Sequence, residues 1–433
     1  MLCALNDETG AAVDWWFMYK LPKGVAAPGQ GATCGNEYLY YDAGQAQPLR
    51  LSPNTLGSGP QGALFHTLQA LFGAPGESVG WICYNDEYPA DLRPGNWPSD
   101  SDWPPAVKPG SSGGKPEDHA HNGHCKGILA FDLADGSAFW LSHSTPKIPD
   151  LNAPGERSFF YPEDEWEYAQ TFLCISLDGV GTAAAIAKVL AEQHEPQVFS
   201  CRIPAALSAA GEYAPLWTLA QGVVAPDYGP HYAPAGGPRP PADLSFSSKA
   251  GKPFRLLAKS GSWMKDLWLD WVEPTLGTDL RVETWRRLTA SATLPEDNAS
   301  GGAATEFGPD DFETDYKGTE YHHEFLDGDE QHVIDEVTTI DLSLLADSAG
   351  KALTGCAWSY TKDHAKWAVS EPVAERGDHA VDDQQGTDGD WICVADMNRM
   401  TSQEIRGGGA ICFHEPALWR SLNDIERIDG AIT

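Results

Sequence analysis

The chain has 433 residues, 42% of them hydrophobic and 10% aromatic, which is enough for an extensive core and for two units of about 150–220 residues each. No apolar run approaches the roughly 18 residues that cross a bilayer as a helix, and the opening residues turn polar too soon for a secretory leader. The formal net charge of −33 at pH 7 excludes a globally basic surface for nucleic acid or anionic membrane. Charging all 13 histidines brings it to −20, so at acid pH a polyanion would meet less repulsion, provided its cleft is locally basic.

Apolar periodicity predicts a strand over 13–20, and a tyrosine-rich run a second over 38–42. Residues 64–72 have helical spacing, and 80–84 form a short buried strand. The stretch 89–116, rich in Pro, Gly and Ser, forms a long surface loop. It leads to a polar head at 124–126 and an apolar strand. Asp135-Gly136 is a hairpin turn signal, with 139–143 as the returning strand. Residues 171–177 read as a strand, and 182–193 as an alanine-rich helix stopped by Pro196. Six prolines and several glycines mark 225–241 as a linker. Beyond it come a strand at 254–258, a helix at 262–271 with Ser260 or Ser262 as N-cap, and a strand at 280–287. An acidic excursion at 310–336 precedes a second polar-headed strand from 364. A polar loop at 378–390, a returning strand at 391–396 and a helix from 417 complete the chain. Strands and helices alternate in each half, predicting α/β layering: a first unit over 1–224, a linker over 225–242 and a second unit over 243–433.

The polar heads are copies of one motif, His124-Cys125-Lys126 and His364-Ala365-Lys366, 240 residues apart. Residues i and i+2 of a strand share a face, so each copy presents an imidazole beside an ammonium. Face to face, two such pairs could hold one phosphodiester. One imidazole would attack phosphorus, the other would protonate the leaving oxygen, and the ammoniums would hold the non-bridging oxygens. His119 and His121, with His124 and Cys125, also suit Zn²⁺, although Lys126 disfavours a dication. The alternative is that His119 and His121 add charge to the substrate path at acid pH. His322, His323, Glu324, Asp327, Asp329 and His332 read as a solvated loop, because no glycine falls where a calcium loop needs one. Asn298-Ala299-Ser300 is a glycosylation sequon. Gly407-Gly408-Gly409 reads either as a close backbone approach to phosphate or as a tight turn. Trp15 and Trp16 read as core.

Several segments together carry a family resemblance: Val13 through Pro22 (VDWWFMYKLP), Gly123 through Asp132, Phe139 through Ser144, Thr171 through Cys174, Leu276-Gly277-Thr278, Asp363 through Trp367, Asp396-Met397-Asn398-Arg399, and Arg406 through Gly409. In this order they resemble the deoxyribonuclease II family of acid endonucleases, within the phospholipase D superfamily of duplicated His-x-Lys phosphodiesterases. The resemblance implies an α/β fold of two pseudo-symmetric phospholipase D-like lobes. Each would be a mixed β-sheet layered with helices, and the active site would lie between them. It implies metal-independent acid hydrolysis of DNA through a phosphohistidine, leaving 3′-phosphate and 5′-hydroxyl ends. DNA would be the substrate, with no cofactor and no membrane, and a homodimer could help enclose a duplex. His124, Lys126, His364 and Lys366 would be catalytic, with either histidine as nucleophile, and His143 and Asn398 would support them.

The chain departs from the superfamily in one respect. Phe131 and Glu371 stand where an aspartate usually follows each histidine, which leaves Asp132, Asp363 and Asp396 as candidate orienting carboxylates. The resemblance further implies a Cys3–Cys174 disulfide, which favours a secreted or periplasmic setting. Cys393 and Cys412 would be free or differently paired. The competing activity is phospholipase D-like hydrolysis of a phosphodiester that is not nucleic acid. Further alternatives are a non-enzymatic binding protein with this fold and a zinc-dependent nuclease.

Overall fold

The computed structural model describes residues 1–27, 31–44, 47–57, 60–72, 75–86, 122–148, 159, 161–223, 225–226, 228, 237–286, 334–372 and 389–428. Eight strands from the earlier part of the chain form one sheet. They are β1 (Trp15–Lys20), β2 (Glu37–Asp42), β3 (Arg50–Thr55), β4 (Val79–Tyr84), β5 (Gly127–Asp132), β6 (Ala138–His143), β7 (Gln170–Leu177) and β8 (Val198–Arg202), in the order β8-β4-β5-β6-β7-β1-β2-β3. Seven later strands form a second sheet: β9 (Ala242–Ser247), β10 (Pro253–Lys259), β11 (Leu280–Glu283), β12 (Ile334–Glu336), β13 (Trp367–Ser370), β14 (Trp391–Ala395) and β15 (Gly408–His414), in the order β9-β10-β15-β14-β13-β11-β12. Neighbours are antiparallel except β11 and β12. Smaller sheets and a few short helices complete a mixed α/β fold. No helix among the described residues is long and apolar enough to cross a membrane.

Period-2 alternation explains how the sheets pack. Trp15, Phe17 and Tyr19 of β1 enter one core, and Trp16 and Met18 enter another on the opposite face. The first of these cores is shared with the second sheet. There Leu256, Trp367, Val369, Ile392, Val394, Ile411 and Phe413 point inward, while Leu257, Ala368, Cys393 and Cys412 line the far face. Aromatic rings cross the seam: Trp15 lies 5.2 Å from Phe413, and Tyr19 lies 6.3 Å from Trp367. The helix Val180–Val189 buries its alanine-rich side in the same core. Both tryptophans are therefore core, as read, on opposite faces of one strand.

Two expectations are corrected. The helix at 262–271 is instead a short 3-10 turn, Gly261–Trp263, followed by a wider turn, Trp268–Val272. Met264 takes a left-handed backbone (φ 57°), which stops the first turn, and Asp266 Oδ1 then accepts from the N–H groups of Trp268 and Leu269, starting the second. Ser260 caps the first turn, accepting from Ser262 N.

The disulfide is also different. Cys3 and Cys174 are free thiols, whereas Cys393 and Cys412 are bonded. The bonded pair are direct cross-strand partners on β14 and β15, with Cα atoms 4.1 Å apart and both side chains on the outer face. Cys174 is buried beside Cys3, and burial, then that neighbour, raises its thiol.

Trp15 is fully buried at the seam, so its truncation should open a large gap there. Trp15→Ala is expected to lower the unfolding free energy by about 3–5 kcal/mol. Urea denaturation measures this, and a loss below about 1 kcal/mol would show that the sheets do not depend on it.

Candidate functional site

Each His-x-Lys copy lies at the entrance of a strand held on both sides: β5 between β4 and β6, and β13 between β11 and β14. Each histidine is anchored to the opposite sheet's side of the molecule. His124 N–H donates to Gly407 O (2.9 Å), just before β15, and His364 N–H donates to Ala169 O (2.9 Å), just before β7. The glycines at 407–409 make the first anchor possible. A Cβ at 407 would lie 2.3 Å from Gln193 O, and one at 123 would lie 1.7 Å from His194 O. Gly408 and Gly409 open β15 rather than forming a turn. The run lets β15 and the His124 loop close on the segment at 193–194.

Around His124 the contacts are polar. Nδ1 lies 2.8 Å from the backbone carbonyl of Asp396, so this nitrogen carries a proton and donates. Nε2 lies 3.2 Å from Asp86 Oδ2, the oxygen that accepts from Lys126 Nζ at 2.6 Å. Burial alone would raise the Asp86 carboxyl. The Lys126 ammonium, then His124 and Arg406, outweighs it and holds the group below the usual carboxylate range. Burial and then Lys126 lower the proton affinity of His124, with Asp86 opposing. Arg406 donates to Asn122 O (2.8 Å) and Gly123 O (3.2 Å), bracing the same loop.

His364 sits among aromatics. Tyr168 stacks on its ring with centroids 3.9 Å apart and planes within 9°, and Trp285 lies 4.4 Å away. Its Nε2 is buried without a hydrogen-bond partner among the described residues. Burial, then Lys366 and Lys126, pushes this imidazole down to about 2. Lys366 donates to His364 O (2.7 Å), and burial, then Lys126, lowers it to about 7. The two copies thus lie within electrostatic reach: Lys126 acts on His364 and Lys366, and Lys366 acts on His124.

The other expected residues divide. His143 is close: its N–H donates to Lys126 O (3.2 Å), its ring leans on Phe172, and burial, then Lys126, lowers it to about 3. Asn398 is buried, and its Oδ1 has no partner among the described residues. Asp396 reaches His124 through its carbonyl, while its carboxylate lies 3.1 Å from His194 Nδ1. Asp363 accepts from Tyr19 Oη, from Trp358 Nε1 (2.8 Å) and from Ala365 N (2.8 Å), so it shapes the backbone beside His364 rather than holding its ring. Glu371 pairs with Arg281 at 3.1 Å.

Asp132 is corrected. It closes the β5–β6 hairpin, accepting from Ala134 N, at the opposite end of β5 from Lys126 and about 20 Å away at strand rise. Sequence reading missed Asp86, Tyr168, Trp285 and Arg406 as site residues. The one signal for Asp86 was its position just past the buried strand that pairs with β5, where Tyr84 faces Gly127. His119, His121, the sequon at 298–300 and the histidines at 322, 323 and 332 lie outside the described residues. Among the described residues no cluster of three or more His, Cys, Asp and Glu is arranged to hold a metal.

Residues 4–427 match the family model described as Deoxyribonuclease II. A protein of Burkholderia pseudomallei (strain K96243), provisionally named deoxyribonuclease-2, is 35% identical over 99% of this chain and 93% of its own length. Deoxyribonuclease-2-alpha of Sus scrofa is 28% identical over 96% of this chain and 87% of its own. Deoxyribonuclease-2 of Caenorhabditis elegans is 28% identical over 97% and 92%.

Asp86 is the only one of these newly found groups that raises the proton affinity of His124. Its lowered carboxyl keeps the contact intact above the ordinary value of about 3.9, and the contact is lost only as pH falls through the lower folded value. Asp86→Asn should therefore lower the His124 pKa further. Titration of ring-labelled histidine by NMR reads this directly, and an unchanged or raised value would contradict the contact.

Proposed function

The chain belongs to the deoxyribonuclease II family, a family of hydrolases, and from that premise we propose that it is an acid endonuclease that hydrolyses DNA phosphodiesters without a metal, through a phosphohistidine. The observation that carries the reading is the reciprocal anchoring of the two His-x-Lys heads within electrostatic reach of each other. In this reading the two sheets are pseudo-symmetric phospholipase D-like lobes, 1–224 and 243–433, joined by 225–242.

His124 is the nucleophile in this account. The proton on Nδ1 is held by the Asp396 carbonyl, so a neutral ring presents its lone pair at Nε2. The scissile phosphate displaces the Asp86 carboxylate from Lys126 and Nε2. The N–P bond forms as the bond from phosphorus to the 5′ oxygen breaks, and His364, protonated, supplies that oxygen's proton. Water then attacks phosphorus, giving its proton to His364. The N–P bond breaks, and a 3′-phosphate remains. Lys126 and Lys366 stabilise charge on the non-bridging oxygens throughout.

Acid dependence follows from the charge balance. In the empty site two lysines and burial keep His364 neutral. A bound phosphodiester brings a negative charge and raises its proton affinity. A group whose pKa rises on binding makes binding take up a proton, so DNA is held more tightly as pH falls. The loss of that proton sets the alkaline limb. Supporting roles fall to His143, beneath Lys126, and to the buried Asn398.

Supercoiled plasmid should be nicked across the acid half of pH 4–8 in excess EDTA, leaving 3′-phosphate and 5′-hydroxyl ends. Cleavage abolished by EDTA would overturn the metal-free mechanism. His124→Ala and His364→Ala should each lower kcat by on the order of 10²–10⁴-fold or more. Full activity in either variant would remove that histidine from the chemistry.

A further inference from the structure

We propose that Lys20 and Lys259 are positioning residues, each holding in place the reactive histidine that belongs to the other sheet; the inference rests on the nuclease reading above. Lys20 ends β1 and Lys259 ends β10, and both are fully buried. Lys20 Nζ donates to the carbonyls of Leu21 (3.2 Å), Gly35 (2.8 Å) and Trp166 (3.1 Å). Lys259 Nζ donates to those of Gln403 (3.2 Å), Glu404 (2.8 Å) and Arg406 (2.9 Å). An ammonium has three protons, and each of these is spent on main-chain oxygen.

Burial of an ammonium opposes its charge. Burial draws Lys20 down to about 7, against the pull of Asp363, Glu165, Glu37 and Glu167. It draws Lys259 down to about 8, against Glu404, Asp266, Glu195 and Asp270. Apolar packing alone would be met by a methionine at no such cost. What the lysines add is a fixed path out of two short helical turns, Glu163–Glu165 and Thr401–Glu404, whose last carbonyls they hold.

Those segments lead directly to the histidines. Two residues after the clamped Trp166 is Tyr168, the ring stacked on His364, and next is Ala169, whose carbonyl receives His364 N–H. Immediately after the clamped Arg406 is Gly407, whose carbonyl receives His124 N–H. The Arg406 side chain itself holds the carbonyls of Asn122 and Gly123. Lys20, on the first sheet, therefore positions His364 of the second, and Lys259, on the second, positions His124 of the first. Each histidine depends on a clamp in the opposite half, which couples reactive geometry to correct docking of the sheets.

The test uses the full chain with ring-labelled histidine, comparing wild type with Lys20→Met and Lys259→Met. Lys259→Met should shift the NMR titration of His124 and leave that of His364 in place. Lys20→Met should leave His124 in place and, beyond the rise in His364 proton affinity that loss of the Lys20 charge alone brings, should change the His364 ring chemical shifts set by the stacked Tyr168, as Lys20→Gln should not. On a short oligonucleotide each should lower kcat by about 10–100-fold with KM within about threefold, as expected for misplaced reacting groups. Lys→Gln at either position, which keeps two donors, should recover part of kcat, and it carries the same comparison if the methionine variant does not fold. Both histidines moving together, neither moving, or unfolding of both substitutions at a position would overturn the proposal, leaving the lysine a role in stability alone. The imidazole titrations need no turnover. If wild type fails to cleave DNA, the nuclease reading falls while the positioning claim is still decided.

Discussion

The close backbone contact at residues 193–195 governs how the two sheets meet. There is no room for a Cβ where Gly123, Gly407 and Gly409 face it. Glu195 takes a left-handed conformation (φ 50°) that ends the preceding helix, and its carbonyl receives Gly123 N–H and the Asn122 amide. Its buried carboxylate receives Ser260 Oγ and Gly261 N–H from the other half of the chain. One short segment thus binds the approach to the first His-x-Lys copy, the end of β10 and the start of β15. Since backbone polar groups must be paired when buried, the contact leaves little freedom in how the halves dock.

From that docking the site's electrostatics follow. The chain as a whole carries a net charge of −33, yet where the halves meet it gathers Lys126, Lys366 and Arg406 near Asp86, with Asp363 and Asp396 also acting on Lys366. Burial lowers the proton affinity of Lys366 and Arg406, and burial together with these lysines lowers that of His124 and His364, so the seam is short of negative charge. Asp86 partly supplies it. A strongly negative chain and a locally cationic seam are therefore compatible, because burial magnifies local charge while solvent screens the rest.

The two halves resemble each other in hydrogen bonding and differ in what flanks the imidazoles. Lys126 O receives His143 N–H as Lys366 O receives Ala395 N–H. Two residues beyond β4 stands Asp86, against His124, and two beyond β11 stands Trp285, against His364. A carboxylate favours an imidazolium and an aromatic wall excludes water, so repeated strands carry two chemically unlike histidines.

The repeated motif and most strands were legible in the sequence, because strand periodicity and an i, i+2 pair are local properties of the chain. Strand 80–84 was read as buried, but Asp86 beside it was not read as part of the site, since its role arises only when β4 pairs with β5. Asp132 was misjudged for the same reason. Eight residues after His124 it reads as close, but an extended strand carries it to the far hairpin. The disulfide depended on which cysteines face each other across β14 and β15, and that is register between strands. Local pattern determined which residues could do chemistry here. Tertiary structure decided which of them meet, because docking through buried backbone contacts is set by segments far apart in the chain.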